Sequence, residues 1–181
     1  MAKKLTLPLT KTDIATLRAG ESVLLSGEIL LARDAAHKRL CDMLERGETL
    51  PVDLENATIY YCGPTATPPD RVIGSAGPTT SSRMDAYAPM LIRLGMTAMI
   101  GKGPRAAAVV DAMVECGCVY FAALGGAGAL LASAFVSVEV AAFPDLGTEA
   151  VRRAVVRDFP AIVAIDAAGG NAYDVTIDNG Q

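Results

Sequence analysis

The chain has 181 residues, of which 51% are apolar and 20% are charged, and its formal net charge is −4. This length allows one domain that buries roughly two thirds of its unfolded surface, so folding needs neither disulfides nor metals. The composition excludes a disordered chain, and the acidic balance with scattered basic residues indicates neither a nucleic-acid partner nor a polybasic membrane anchor.

Strands and helices are predicted to alternate along most of the chain. The expected strands are residues 4–9, 22–34, 57–63, 96–101, 118–124, 136–143 and 161–169, and the expected helices are 10–20, 35–48, 81–95, 104–117 and 127–135. Residues 148–159 fit either a helix or a strand. No repeat or linker interrupts the pattern, so we expect residues 1–181 to form one layered α/β domain with helices against a mainly buried sheet.

Local signals place the ends and bends of these elements. Thr10 or Thr12 is expected to cap the first helix, and Gly27 to divide residues 22–34 into a strand pair or one bent strand. Asp34 is predicted to cap the second helix, whose inward stripe is Leu40, Met43 and Leu44. Pro104 is expected at the start of the fourth helix.

One uncharged run, Cys116–Val138, is long enough to cross a bilayer. Its centre, GGAGA at residues 125–129, divides it into a strand-like and a helix-like piece, which favours a buried strand–turn–helix. GGAGA is also neither a P-loop nor a complete dinucleotide fingerprint, and small residues for tight packing explain it better. A membrane-associated scaffold remains an alternative.

The cysteines and the N-terminus bear on the compartment. Residues 1–13 contain Pro8, Lys11 and Asp13, which interrupt any signal-peptide core, so a cytoplasmic protein is expected. Cys41, Cys62, Cys116 and Cys118 lack the paired spacing of a structural zinc site, and we expect reduced, buried thiols and no bound metal.

The abundance of apolar residues also predicts a surface that another chain covers.

The stretch GSAGPTTSSR, residues 74–83, runs from a glycine-containing loop into a predicted helix N-terminus. Unpaired N–H groups and the helix dipole at such a position favour an anion, and the guanidinium of Arg83 matches a carboxylate. The alternative is that Thr80 or Ser81 only caps the helix while Arg83 pairs with Asp85 or solvent.

Two further basic segments are candidates for anion binding. Arg33, His37 and Lys38 lie at a helix start, where the dipole disfavours cations, so an anionic ligand is indicated. His37, the chain's only histidine, would hold a carboxylate as an imidazolium, or would simply be a partly exposed helix residue. Lys102 stands between two glycines after a predicted strand, where it would meet a ligand or only solvent.

These motifs resemble, in order, those of the iron–sulfur-dependent class I fumarate hydratase and L-tartrate dehydratase family. The similar segments are LSGEILLARDAAHKRL, YYCGPT, GSAGPTTSSRMD, IGKG, ALGGAGALLA and FPAIVAIDAAGGNAYD. The resemblance covers nearly the whole chain and is to the family's C-terminal domain or β subunit. It implies a swivelling β/β/α domain and a [4Fe–4S] cluster held by cysteines of a partner α subunit, not by those of this chain.

The resemblance also implies roles for single residues. Thr79 matches the proposed catalytic hydroxyl, with Thr80 as its rival in the same turn, and Arg83, Arg33 and Lys102 match carboxylate-binding positions. His37 is added as a neighbour of Arg33. Cations aimed at a carboxylate stabilise the charge that develops there when a proton is removed from the adjacent carbon.

The expected function is therefore that of a hydro-lyase subunit, inactive without its α partner, that hydrates fumarate reversibly to L-malate. Conversion of L-tartrate to oxaloacetate by a β subunit is one alternative. A non-catalytic module that binds small anions is another. A homo-oligomer formed through the heteromer is left open as an alternative assembly.

Overall fold

The structure is a computed structural model that describes residues 1–123 and 127–174. The strands and helices are β1 Lys3–Thr6, α1 Lys11–Thr16, β2 Ser22–Leu31, α2 Asp34–Glu45, β3 Thr58–Tyr60, α3 Ala88–Arg93, β4 Ala98–Gly101, α4 Ala107–Cys116, β5 Val119–Ala122, α5 Gly128–Ala132, β6 Phe135–Ala142 and β7 Val151–Ile165. Short 3-10 segments are Ser81–Met84, Pro144–Glu149 and Ala172–Asp174. The predicted mixed α/β class is confirmed.

The strands form one seven-stranded mixed sheet. Strands β1 to β5 pair in parallel, each with the next, whereas β7 is antiparallel to β2, β5 and β6. Because β7 pairs with both β2 and β5, the ladder closes into a circuit of β2, β3, β4, β5 and β7. Because β1 to β5 are parallel, their carboxyl ends lie together at one edge of the sheet.

Two apolar cores lie on the two faces of the sheet, as the alternation of side chains along a strand requires. Tyr60, Ile100 and Phe121 belong to one core, which also contains residues of β1, β2 and β7. Their chain neighbours Tyr61, Met99 and Tyr120 belong to the other core, where they meet buried residues of α2, α3 and α4. The latter core is the one under the predicted ligand-binding residues.

Strand β2 is continuous and has an irregularity between Leu25 and Gly27, as the bent-strand prediction allowed. Gly27 has φ +135°, and a Cβ atom there would lie 2.5 Å from the carbonyl oxygen of Leu7. Only glycine fits both the backbone angle and this close approach.

The predicted helix 81–95 is wrong as a single helix, because the structure divides it into a 3-10 turn and α3. Pro89 occupies the first turn of α3, where its missing N–H costs little, whereas an interior position would break the helix. The Asp85 side chain, between the two pieces, is bound to Arg105 and to the N–H of Ala106.

Several predicted boundaries also shift. Thr10 caps α1 through a capping box with Asp13, and Arg33, not Asp34, is the N-cap of α2. The inward stripe of α2 includes His37 and Cys41 with Leu40, whereas Met43 and Leu44 are only half-buried. Helix α4 starts at Ala107, after Pro104.

The ambiguous residues 148–159 and the predicted strand 161–169 contribute to one long strand, β7. It is paired on both sides, with β2 on one and with β5 and β6 on the other. These ladder hydrogen bonds, made with distant parts of the chain, decide the strand conformation.

The apolar run Cys116–Val138 does not form one long helix. Its described residues contribute to the end of α4, to β5, to α5 and to β6, while residues 124–126, which include two glycines of GGAGA, lie outside the described residues. Among the described residues, no helix is long and apolar enough to span a membrane.

Candidate functional site

The carboxyl ends of β2, β3 and β4 bring residues from distant parts of the chain to one edge of the sheet. Arg33 follows β2, and Lys102 follows β4. The segment that carries Thr79 and Thr80 lies between the ends of β3 and β4: the Thr79 N–H donates to the Tyr61 carbonyl oxygen at 2.8 Å, and the Ser81 N–H donates to that of Lys102 at 2.9 Å. Ligands of α/β proteins commonly bind at this edge.

Asp34 joins the two arginines that were predicted to bind carboxylates. Its Oδ2 lies 3.0 Å from Nε of Arg33, and its Oδ1 lies 2.7 Å from Nε of Arg83. Nε of Arg33 is also 3.2 Å from Oε1 of Glu149. These contacts are made through Nε, and among the described residues the terminal nitrogens of both guanidinium groups donate no hydrogen bond, so they can bind another anion.

The surroundings keep Asp34 ionised. Partial burial by itself raises the pKa of this carboxyl group, but its own backbone N–H and the nearby charges of Arg33 and Arg83 outweigh that effect. The resulting pKa lies below the ordinary value of 3.8. Asp34 is therefore a negative charge at neutral pH that orients two positive ones.

Gly63, in the segment YYCGPT, provides the space for Arg33. A Cβ atom at Gly63 would lie 2.8 Å from Cδ of Arg33 and 3.3 Å from the carbonyl oxygen of Thr148. A contact of 2.8 Å is too short for two carbon atoms, so a larger residue would displace the arginine.

Thr79, Thr80 and Lys102 are grouped at this edge. Thr79 is half-buried, whereas Thr80 and Lys102 are exposed. Thr80 and Lys102 form an isolated parallel bridge. Within residues 1–123 and 127–174, the side chains of these three residues make no hydrogen bond or ion pair, which leaves the two hydroxyl groups and the ammonium group accessible to a ligand.

The capping interpretation of this segment is wrong, and so is its helix-dipole argument. Thr80 is the N-cap of the 3-10 turn, but its side chain makes no capping hydrogen bond. The turn is only four residues long, and the N–H groups of Thr79 and Ser81 are already bound to carbonyl oxygens. Arg83 pairs with Asp34, not with Asp85.

His37 lies in the core, fully buried, with its ring in a T-shaped contact with the ring of Tyr61. Burial lowers its pKa to about 4, although a hydrogen bond to the Arg33 carbonyl oxygen, 3.0 Å from Nδ1, acts in the opposite direction. The ring is therefore neutral at pH 7. This placement does not support the predicted role of His37 as an imidazolium that holds a carboxylate; it supports the backbone of Arg33 instead.

The cysteines of this chain do not fit a metal or cluster site. Cys41, Cys62 and Cys118 are buried, and burial raises their thiol pKa values to about 11, 12 and 12. Cys116 is exposed, contrary to the expectation of buried cysteines. The part of the chain that the structure describes contains no group of three metal-ligating side chains.

Sequence reasoning missed a buried polar group beneath the site. Arg105 lies between the rings of Tyr61 and Tyr120, 5.2 and 5.0 Å from their centroids, and its Nε is 2.7 Å from Oδ1 of Asp85. Ser81 is fully buried and bonds to Tyr120. The sequence did contain a signal, because Arg105 directly precedes an apolar helix. A charged residue that is buried at such a position needs a partner.

Comparison with known proteins shows the family of the chain. Residues 2–176 match the family model described as Fumarase C-terminus. The chain belongs to the Fumarase C-terminus family. The resemblance drawn from the motifs is thereby confirmed.

Relatives of this Fumarase C-terminus chain carry two kinds of name. It is 37% identical to "Fumarate hydratase 2" of Leishmania major, over 92% of this chain and 30% of the relative. It is 39% identical to "Fumarate hydratase class I, aerobic" of Escherichia coli K12, over 82% of this chain and 28% of the relative. It is 40% identical to "Putative L(+)-tartrate dehydratase subunit beta" of Methanocaldococcus jannaschii, over 92% and 88%. The chain thus spans less than a third of these fumarate hydratases.

Proposed function

We propose that this chain is the β subunit of a class I fumarate hydratase, which with an α subunit adds water reversibly to fumarate to form L-malate. The observation that carries the proposal is the convergence of Arg33, Arg83 and Lys102 on one open edge, beside Thr79. The two arginines contact two carboxylates, those of Asp34 and Glu149. Lys102 adds a third cation at this edge. The edge keeps a surplus of positive charge, which suits a dianionic C4 dicarboxylate.

The chemistry requires these groups near the reacting carbons. Dehydration of malate removes a proton from the carbon next to a carboxylate and a hydroxyl group from the neighbouring carbon. Negative charge then builds on that carboxylate, and the guanidinium groups stabilise it more strongly in the transition state than in the ground state.

The Thr79 hydroxyl oxygen is proposed to exchange the proton with the substrate carbon. A threonine hydroxyl is a weak base, so nearby cations must favour its ionised form. Thr79 is preferred to Thr80 because it is half-buried and bound through its backbone to the end of β3, whereas Thr80 is exposed.

The iron–sulfur cluster is proposed to come from the partner chain. The cysteines here do not fit a cluster, so the [4Fe–4S] group is proposed to belong to the α subunit. The relative named as a subunit beta supports a two-chain enzyme. In this proposal the chain acts as one swivelling domain of a cytoplasmic enzyme, closes on the α subunit, and is inactive alone.

L-Tartrate is the second candidate substrate. The relative that this chain covers almost completely is named for tartrate dehydratase, whereas the fumarate hydratases named above are more than three times as long as the region matched. A site that only binds dicarboxylates without reaction is the third candidate.

The test is anaerobic co-purification of the chain with an α subunit, followed by assays on fumarate and L-tartrate. Thr79→Ala should reduce turnover by at least about a hundredfold, as expected for loss of a group that transfers a proton. Thr80→Ala is the matched control and should retain most activity. Turnover of tartrate alone would change the substrate assignment, and binding of dicarboxylates without any turnover would establish the binding module.

A further inference from the structure

The hydroxyl groups of Ser81 and Tyr120 form a buried connection between the Thr79–Arg83 segment and the turn that carries Lys102. Both residues are fully buried. Oγ of Ser81 lies 3.0 Å from the backbone nitrogen of Lys102 and 2.8 Å from the Tyr120 hydroxyl oxygen. The Tyr120 hydroxyl oxygen lies 2.8 Å from the carbonyl oxygen of Gly103.

The chemistry of the end groups settles the direction of these hydrogen bonds. The backbone N–H of Lys102 only donates, and the Gly103 carbonyl oxygen only accepts. Ser81 therefore accepts from Lys102 and donates to Tyr120, and Tyr120 donates to Gly103. Each hydroxyl group donates once and accepts once, so both buried groups are satisfied.

The turn itself has little intrinsic rigidity. Lys102 lies between Gly101 and Gly103, and glycine is the most flexible residue in the unfolded chain. Gly103 adopts φ +83°. A Cβ atom at Gly101 would lie 2.0 Å from Oγ of Ser81, so glycine is required for the hydroxyl group to approach the turn.

We propose that Ser81 and Tyr120 are positioning residues for Lys102. Their hydrogen bonds hold the main chain on both sides of Lys102 and align its ammonium group with the Thr79 segment. The inference rests on the proposed function, in which Lys102 binds a substrate carboxylate. Neither hydroxyl group touches the substrate.

A double-mutant cycle in the assembled α–β enzyme tests the proposal. Tyr120→Phe removes one oxygen atom and should lower kcat/KM by about tenfold, because Lys102 is displaced. In a Lys102→Ala background the same change should have less than about a twofold effect, whereas in an Arg33→Ala background the tenfold loss should persist. Tyr87→Phe is the control, since the Tyr87 hydroxyl makes no hydrogen bond within the described residues.

Hydrogen exchange of the Lys102 amide in the full-length chain gives a readout that does not need activity. Exchange should be about tenfold faster in Tyr120→Phe and in Ser81→Ala, and unchanged in Tyr87→Phe. If Tyr120→Phe fails to fold, Ser81→Ala takes its place in the kinetic cycle, with the same expected pattern.

The outcomes separate this inference from the proposed function. An equal loss in every background, or unchanged exchange at Lys102, overturns the positioning role while the hydratase assignment stands. A Lys102→Ala enzyme with normal kinetics removes Lys102 from the site, and the inference with it. An assembled pair that hydrates no substrate overturns the function, and the exchange experiment still tests the hydrogen bonds.

Discussion

Among the ion pairs of the described residues, the one between Arg105 and Asp85 is the most buried, and its removal should destabilise the protein most. The Arg105 side chain is 0% exposed and that of Asp85 is 13% exposed. Asp85 binds Nε of Arg105 at 2.7 Å and the N–H of Ala106 at 2.8 Å. Asp85→Ala leaves a guanidinium group buried without a counterion, which should lower the free energy of unfolding by about 3–5 kcal/mol.

Urea unfolding of the purified chain measures this loss. The matched control is Asp145→Ala, because Asp145, like Asp85, accepts two hydrogen bonds and pairs with an arginine; both of its bonds come from Arg39, at 2.9 Å. That pair is exposed, with 63% of the Asp145 side chain accessible, so its loss should change stability little. Equal effects of the two substitutions would refute the reasoning.

A second variant tests the cause of the loss. Replacing both partners, with Arg105→Met and Asp85→Leu together, removes the buried charge along with its counterion. Most of the stability lost in Asp85→Ala should return, because two apolar side chains do not carry the cost of burying an unpaired charge. A double variant as unstable as the single one would show that packing, not charge, explains the effect.

Three further predictions concern single residues. Burial lowers the pKa of His37 to about 4 from 6.5, so between these pH values the unfolded chain binds more protons than the folded chain and the free energy of unfolding rises with pH. His37→Gln should make the free energy of unfolding less dependent on pH in this range. An unchanged pH dependence would contradict the buried placement of His37. Gly101→Ala should destabilise the chain by about 1–3 kcal/mol through a clash with Ser81, whereas Gly77→Ala, whose nearest contact would be 3.7 Å, should be tolerated in the same unfolding assay. A thiol reagent should modify Cys116 in the native chain and the other three cysteines only after unfolding, because those are buried; four fast-reacting thiols would exclude this arrangement.

Local signals in the sequence were sufficient to predict structure where the deciding contacts join residues that are close along the chain. Thr10, one of the two threonines predicted to cap α1, does so through Asp13, only three residues away. They were insufficient where distant partners intervene. The helix predicted over 81–95 is interrupted because Asp85 is held by Arg105, and no spacing rule relates those two positions.

The candidate site was likewise predicted only in part. The motif resemblance selected Arg33, Thr79, Arg83 and Lys102, and the structure brings all four to one edge of the sheet. His37 was selected for its position near Arg33, but helical periodicity directs its ring into the core.

The amino-acid sequence by itself determined the α/β class, the family and most of the candidate residues, because apolar periodicity and short motifs depend on neighbouring residues. Only the tertiary structure decided which charges meet. Asp34 contacts Arg83 across 49 positions of sequence, and Ser81 contacts Tyr120 across 39. The physical reason is that parallel strands end at a common edge, so the sheet, not the spacing along the chain, sets the distances between these groups.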